Sequence, residues 1–149
     1  MPVRVYRTNS EDQTIDLGRR LARWLPSRAV VLLIGNLGAG KTTLAKGIIH
    51  GLGAAAPEEV SSPTYTLIHE YGAIAYHVDL YRIESADEAA ALGLDELFER
   101  EAVVLIEWGE RFPELIPEER VEIRMDPEGE ESRRITVRST LPCRNTFPE

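Results

Sequence analysis

A single cysteine, Cys143, in 149 residues excludes an internal disulfide and denies any zinc site the thiolate pair it commonly uses. Lysine is almost as scarce. Fifteen arginines stand against two lysines, Lys41 and Lys46, so a lysine here marks a place where a planar guanidinium does not serve. The formal net charge is −8, which argues against the broad cationic surface that independent binding to DNA or RNA requires. Any RNA is expected to be reached through a partner. No apolar run approaches the roughly 18 residues of a membrane span. Met1-Pro2-Val3-Arg4-Val5-Tyr6 carries no apolar signal core, so the expected location is cytoplasmic, with no membrane contact. Internal repeats and low-complexity tracts are missing too. With 43% hydrophobic residues, the length suits one domain with a well-buried core and is too short for two.

What the chain does contain is the run Gly35-Asn36-Leu37-Gly38-Ala39-Gly40-Lys41-Thr42, which spells G-x-x-x-x-G-K-[ST]. Its flanks agree with it. Ala29 to Ile34 is an unbroken apolar run of the kind a buried parallel strand shows, and Thr42 to Leu52 reads as a helix closed by Gly53. Strand, glycine loop and helix therefore follow in the order a phosphate-binding loop needs. The glycines allow backbone conformations that turn successive N–H groups inward around phosphate oxygens. The helix start adds its free amides and positive dipole end. Lys41 supplies a compact charge for the terminal phosphates, and the Thr42 hydroxyl is placed to ligate a bridging Mg2+. Residues 35–43, ending at Thr43, are thus the expected nucleotide cradle.

The rest of the chain reads as a single α/β domain over residues 1–140, a P-loop NTPase fold with a mixed sheet. Parallel strands form its core, antiparallel hairpins extend it, and helices cover both faces. A first strand is expected over 3–7 and a helix from the capping box Ser10-x-x-Gln13 to about Leu25, with Ile15, Leu17, Leu21 and Trp24 inward. Tyr65 to Tyr71 and Ala73 to Val78 read as an antiparallel hairpin joined at Gly72. A short helical region opens at Ser85, and Ala102 to Ile106 is a second buried strand. Val121 to Met125 and Arg134 to Arg138 flank the turn residues Asp126-Pro127-Glu128-Gly129, which also makes Asp126-x-x-Gly129 a turn and not a nucleotide switch. Residues 141–149 read as a flexible tail.

A hydrolysing phosphate-loop protein needs a carboxylate near the metal, commonly at the carboxyl end of a buried strand. Two fit: Glu107, after Val103-Val104-Leu105-Ile106, and Asp79, after Ile74-Ala75-Tyr76-His77-Val78. Glu107 follows the cleaner apolar run and is the choice for the metal. Ser61-Ser62-Pro63-Thr64-Tyr65 is the candidate switch, a proline-stiffened loop able to bring a hydroxyl to the terminal phosphate. A lone strand histidine such as His77 more often makes a structural hydrogen bond, and Trp108 more often fills space. The base pocket has no clear signature; Ser10-Glu11 and Arg133-Arg134 are plausible walls.

Taken together, these phosphate-loop residues, Ser61 to Tyr65, His77-Val78-Asp79-Leu80-Tyr81-Arg82 and Leu105-Ile106-Glu107-Trp108-Gly109-Glu110 closely resemble the TsaE (YjeE) family from about residue 8 to about residue 138. The resemblance implies a bacterial ATPase of tRNA threonylcarbamoyladenosine synthesis that works with the TsaB and TsaD proteins. It also implies that Lys41 and Thr42 serve phosphate and Mg2+, that Glu107 serves Mg2+, and that Thr64 and Asp79 serve the switch and hydrolysis chemistry. Asn36 stands where the family often has aspartate. From the residues alone two other readings stay open: a small-molecule kinase, for which Arg82, Arg100, Arg111 and Arg133-Arg134 would have to furnish a lid, and a nucleotide-sensing module with little turnover. No Asn-Lys-x-Asp occurs in the chain, which favours ATP over GTP.

Overall fold

The computed structural model describes residues 2–63, 66–141 and 146–149. Strand β1 (Val3–Thr8) leads into helix α1 (Glu11–Trp24), whose start is fixed by Ser10: its side chain accepts from the Gln13 N–H, while Gln13 reaches back to the Asn9 N–H. Strand β2 (Ala29–Ile34) is buried along its whole length, as its continuous apolar run requires. Helix α2 (Lys41–Gly51) follows the glycine loop directly. Strands β3 (Ile68–Tyr71) and β4 (Ala75–Asp79) form the expected antiparallel hairpin, but both begin late. Leu67 at φ 70° holds off the start of β3, and Gly72 and Ala73 at φ 62° and 59° both belong to the turn. The helical region after Ser85 splits at Gly93 (φ 80°) into α3 (Ala86–Ala90) and α4 (Leu94–Glu99). Strand β5 (Val103–Glu107) ends on the carboxylate. The last pair, β6 (Val121–Pro127) and β7 (Arg133–Ser139), is longer than its sequence signals, because Asp126 and Pro127 stay in register opposite Arg134 and Arg133 and the turn begins at Glu128.

One seven-stranded sheet runs in the order β1-β7-β6-β2-β5-β4-β3. Strands β4, β5, β2 and β6 are mutually parallel, β3 and β7 run antiparallel to them on either side, and the edge strand β1, antiparallel to β7, runs in the core direction again. The alternation of side chains along β2 separates two cores. Val31 and Leu33 face α1 and α2, packing with Leu17, Leu44 and Ile48, whereas Val30 and Leu32 face α3 and α4 and pack with Leu94 and Leu97. Helix α2 is a poor helix by propensity, since Gly47 and Gly51 each disfavour it by about 1 kcal/mol relative to alanine. Burial of Leu44, Ile48 and Ile49, at roughly 1.5–3 kcal/mol apiece, holds it instead. Those glycines are what lets it come so close to α1. A Cβ on Gly18 of α1 would stand 2.6 Å from the Leu44 carbonyl oxygen, and one on Gly47 would collide with the Ile15 carbonyl.

Past Leu141, Phe147 lies against Trp24 with ring centroids 5.2 Å apart, and the Tyr6 hydroxyl donates to the Pro148 carbonyl. Among the described residues, no helix is long and apolar enough to cross a membrane.

Candidate nucleotide site

The loop between β2 and α2 opens at the carboxyl ends of the parallel strands, where an open α/β sheet places its ligands. Gly38 and Gly40 take φ of 79° and 100°, so the loop turns through conformations that side chains disfavour. Gly40 is the N-cap of α2 and offers no side-chain acceptor, which leaves the first amides of the helix without a side-chain cap. Behind the loop, Arg133 of β7 donates from Nε to the Ala39 carbonyl at 2.8 Å and from Nη2 to the Gly38 carbonyl at 3.4 Å. The phosphate loop is thereby tied to the far hairpin.

Lys41 is only 4% exposed. Its Nζ donates to the Gly35 carbonyl at 2.7 Å and lies 3.7 Å from the centroid of the Trp108 ring. Burial pushes the lysine pKa down, and the nearby Glu107, Glu110 and Asp79 carboxylates pull it partly back. Trp108 reaches this position because it turns through φ 66° directly after β5. It therefore covers the lysine, beyond the space-filling role its residue type suggests.

Asp79 and Glu107 are register partners at the ends of β4 and β5, and both are buried. The Thr42 hydroxyl lies 3.4 Å from Glu107 Oε2, and the Tyr81 N–H donates to Asp79 Oδ1 at 2.8 Å. His77, two positions before Asp79 on the same side of β4, places Nε2 2.6 Å from Glu107 Oε2. Two neighbouring buried carboxylates beside a hydroxyl form a hard oxygen set with an excess of negative charge, which suits Mg2+ bound through one or two carboxylates and phosphate oxygens. The donor set thus fits the expected ion.

Lys41, Thr42, Asp79, Tyr81, Glu107 and Trp108 line a cleft of about 460 Å³. Of the residues read as walls of a base pocket, Glu11 and Arg133 line the same cleft, with Thr14 and Glu130, whereas Arg134 pairs with Asp126. Ser62 also lines the cleft. Thr64, the expected switch hydroxyl, lies outside the described residues. Three features of the site have no signature in the sequence: the Arg133 tether, the Trp108 cover and the His77–Glu107 contact. Each joins residues brought together only by the sheet order.

The sequence profile described as "Threonylcarbamoyl adenosine biosynthesis protein TsaE" matches residues 8–135. A Bacillus subtilis protein named tRNA threonylcarbamoyladenosine biosynthesis protein TsaE is 41% identical over 134 residues, covering 88% of this chain and 82% of its own length. A relative of the same name from Treponema pallidum is 39% identical over 132 residues, covering 87% of this chain and 96% of its own. The crystal structure of Bacillus subtilis YdiB superimposes with a TM-score of 0.74 at 34% identity, over 92% of this chain and 85% of that one. The chain belongs to the TsaE family of threonylcarbamoyl adenosine biosynthesis proteins.

Proposed function

We propose that this protein binds ATP with Mg2+ in the cleft and hydrolyses it as one component of tRNA threonylcarbamoyladenosine synthesis in the cytoplasm, together with TsaB and TsaD. The observation that carries this reading is the convergence of Lys41, Thr42, Asp79 and Glu107 on one mouth of the phosphate loop. The shared name of the relatives supplies the pathway.

The roles follow from the geometry. Backbone N–H groups of residues 35–43 cradle the phosphates, and the Lys41 ammonium exchanges the Gly35 carbonyl for terminal phosphate oxygens. The Thr42 hydroxyl and the Glu107 carboxylate would hold Mg2+, which when bound offsets the negative charge of the terminal phosphates. Asp79, fixed by the Tyr81 N–H, orients the attacking water. Thr64 is the switch residue that senses the γ-phosphate, a role that the family resemblance implies; among the described residues Ser62 lines the cleft. A partner surface orders the switch segment and excludes water during turnover.

Phosphate release from ATP tests this reading. Turnover is expected to be slow with the protein alone and faster once TsaB and TsaD are added together. Glu107→Gln is expected to bind ATP yet lose about 10²-fold or more in turnover, the usual effect of removing one aligned electrostatic group. Transfer of the γ-phosphate to an organic acceptor, or no release under any condition, contradicts it.

A further inference from the structure

We infer that His77 is a positioning residue: its imidazole fixes the Glu107 carboxylate in the orientation that, with Thr42, takes up Mg2+ beside the nucleotide. This rests on the magnesium reading of Thr42 and Glu107 given above.

His77 is fully buried at the centre of β4, in register with His69 of β3 on one side and Leu105 of β5 on the other. An imidazole here gives up water on every side, which an aliphatic side chain in the same strand would do without penalty. Its single hydrogen bond among the described residues accounts for its presence. Nε2 lies 2.6 Å from Glu107 Oε2, a short contact of the kind made to a charged acceptor. Nδ1 is buried without a hydrogen-bond partner among the described residues. Because a carboxylate oxygen accepts, Nε2 is the donor in this contact.

The strand registers make this contact specific to Glu107. Glu107 is paired with Asp79, and His77 precedes Asp79 by two residues, so the ring meets the carboxylate diagonally across the β4–β5 ladder. A glutamate has three side-chain torsions to fix. The Thr42 hydroxyl, at 3.4 Å, and the His77 ring converge on the same oxygen, Oε2, and together they hold that oxygen in place. Hydrogen-bond partners of metal-binding carboxylates typically account for 10- to 100-fold in metal affinity or activity.

The test compares His77→Phe, which fills the volume without a donor, with His77→Gln, which carries an N–H to a similar reach. For the intact protein, affinity for the non-hydrolysable β,γ-imido analogue of ATP is measured by calorimetry, once with Mg2+ and once with the chelator EDTA. The gain on adding Mg2+ is the readout, because a merely structural role would lower both affinities alike. In His77→Phe that gain is expected to fall by roughly 10-fold or more, with affinity in EDTA unchanged, and His77→Gln is expected to restore most of it. A full gain in His77→Phe, or equal loss in both variants, overturns the assignment. If the wild-type protein itself gains nothing from Mg2+, the magnesium reading fails and takes the His77 role with it. Should His77→Phe not fold, His77→Asn replaces it, since asparagine is too short to reach Glu107; equal gains in His77→Asn and His77→Gln then overturn the proposal.

Discussion

Replacing Arg133 isolates what an ordered phosphate loop is worth. The guanidinium donates to the Ala39 carbonyl at 2.8 Å and the Gly38 carbonyl at 3.4 Å, while Nη1 meets the carbonyls of Gly129, Glu130 and Ser132 at 3.4, 3.2 and 3.0 Å. It thus staples the β6–β7 hairpin to a loop whose Leu37 is 68% exposed. A hydrogen bond from a charged donor contributes about 1.5–3 kcal/mol, and partial exposure with one long contact puts the loop's share nearer 1–2 kcal/mol. Arg133→Met keeps the aliphatic stem and removes every donor. If the tether orders the loop before nucleotide arrives, its loss is repaid from binding, and ATP affinity falls about 5- to 30-fold. Arg133→Lys keeps the charge near the phosphates but cannot reach both loop carbonyls and the hairpin at once, so most of the loss is expected to remain. Calorimetric titration with ATP reads both variants. Normal affinity in Arg133→Met refutes the tether, and normal affinity in Arg133→Lys alone shows that charge, and not loop order, is what Arg133 provides.

Two further predictions concern the scaffold. Gly47→Ala sets helix propensity, which favours alanine by about 1 kcal/mol, against a collision with the Ile15 carbonyl of α1. The collision is expected to win by roughly 1–3 kcal/mol, lowering the melting temperature by about 3–10 °C; a rise would show that the two helices can separate at little cost. Burial raises the pKa of the Tyr6 hydroxyl, with Arg4 and Arg20 opposing. Its folded-state pKa therefore lies above the unfolded value of 10.0, and the stability it contributes is complete below that pH and lost as pH rises through the folded value. Melting temperature is expected to fall more steeply above about pH 10 in the wild type than in Tyr6→Phe, and parallel curves would contradict this.

The parts of the molecule that local chemistry determines are legible from sequence. The Ser10 cap, the apolar run of β2, the glycine loop and the β3–β4 hairpin all lie at or near the places their local sequence indicates, because each depends on neighbours within a few residues. Strand ends shifted where single residues took left-handed conformations, as at Leu67 and Ala73. Propensity disfavours both, so tertiary contacts decide them: the Leu67 carbonyl, for one, accepts from the Asp79 N–H at 2.9 Å. Asp79 and Glu107 were found as strand ends. Their adjacency, however, follows from β4 and β5 pairing in parallel, which no short window of sequence contains. A lone strand histidine such as His77 points to a structural hydrogen bond, and the bond exists, but its acceptor is 30 residues away. Arg133 lies 94 residues from Ala39, which is why it read only as a wall of the cleft.

Titration of ATP into the intact protein in the presence of Mg2+, with wild type beside Lys41→Ala and Lys41→Arg, tests the central claim most directly. The wild type is expected to bind one ATP per chain. Lys41→Ala is expected to bind at least about tenfold more weakly, since removing the buried ammonium takes away a charge-assisted contact to the terminal phosphates, and Lys41→Arg is not expected to restore it. Wild-type affinity in either variant, or no ATP binding by the wild type, would contradict the account.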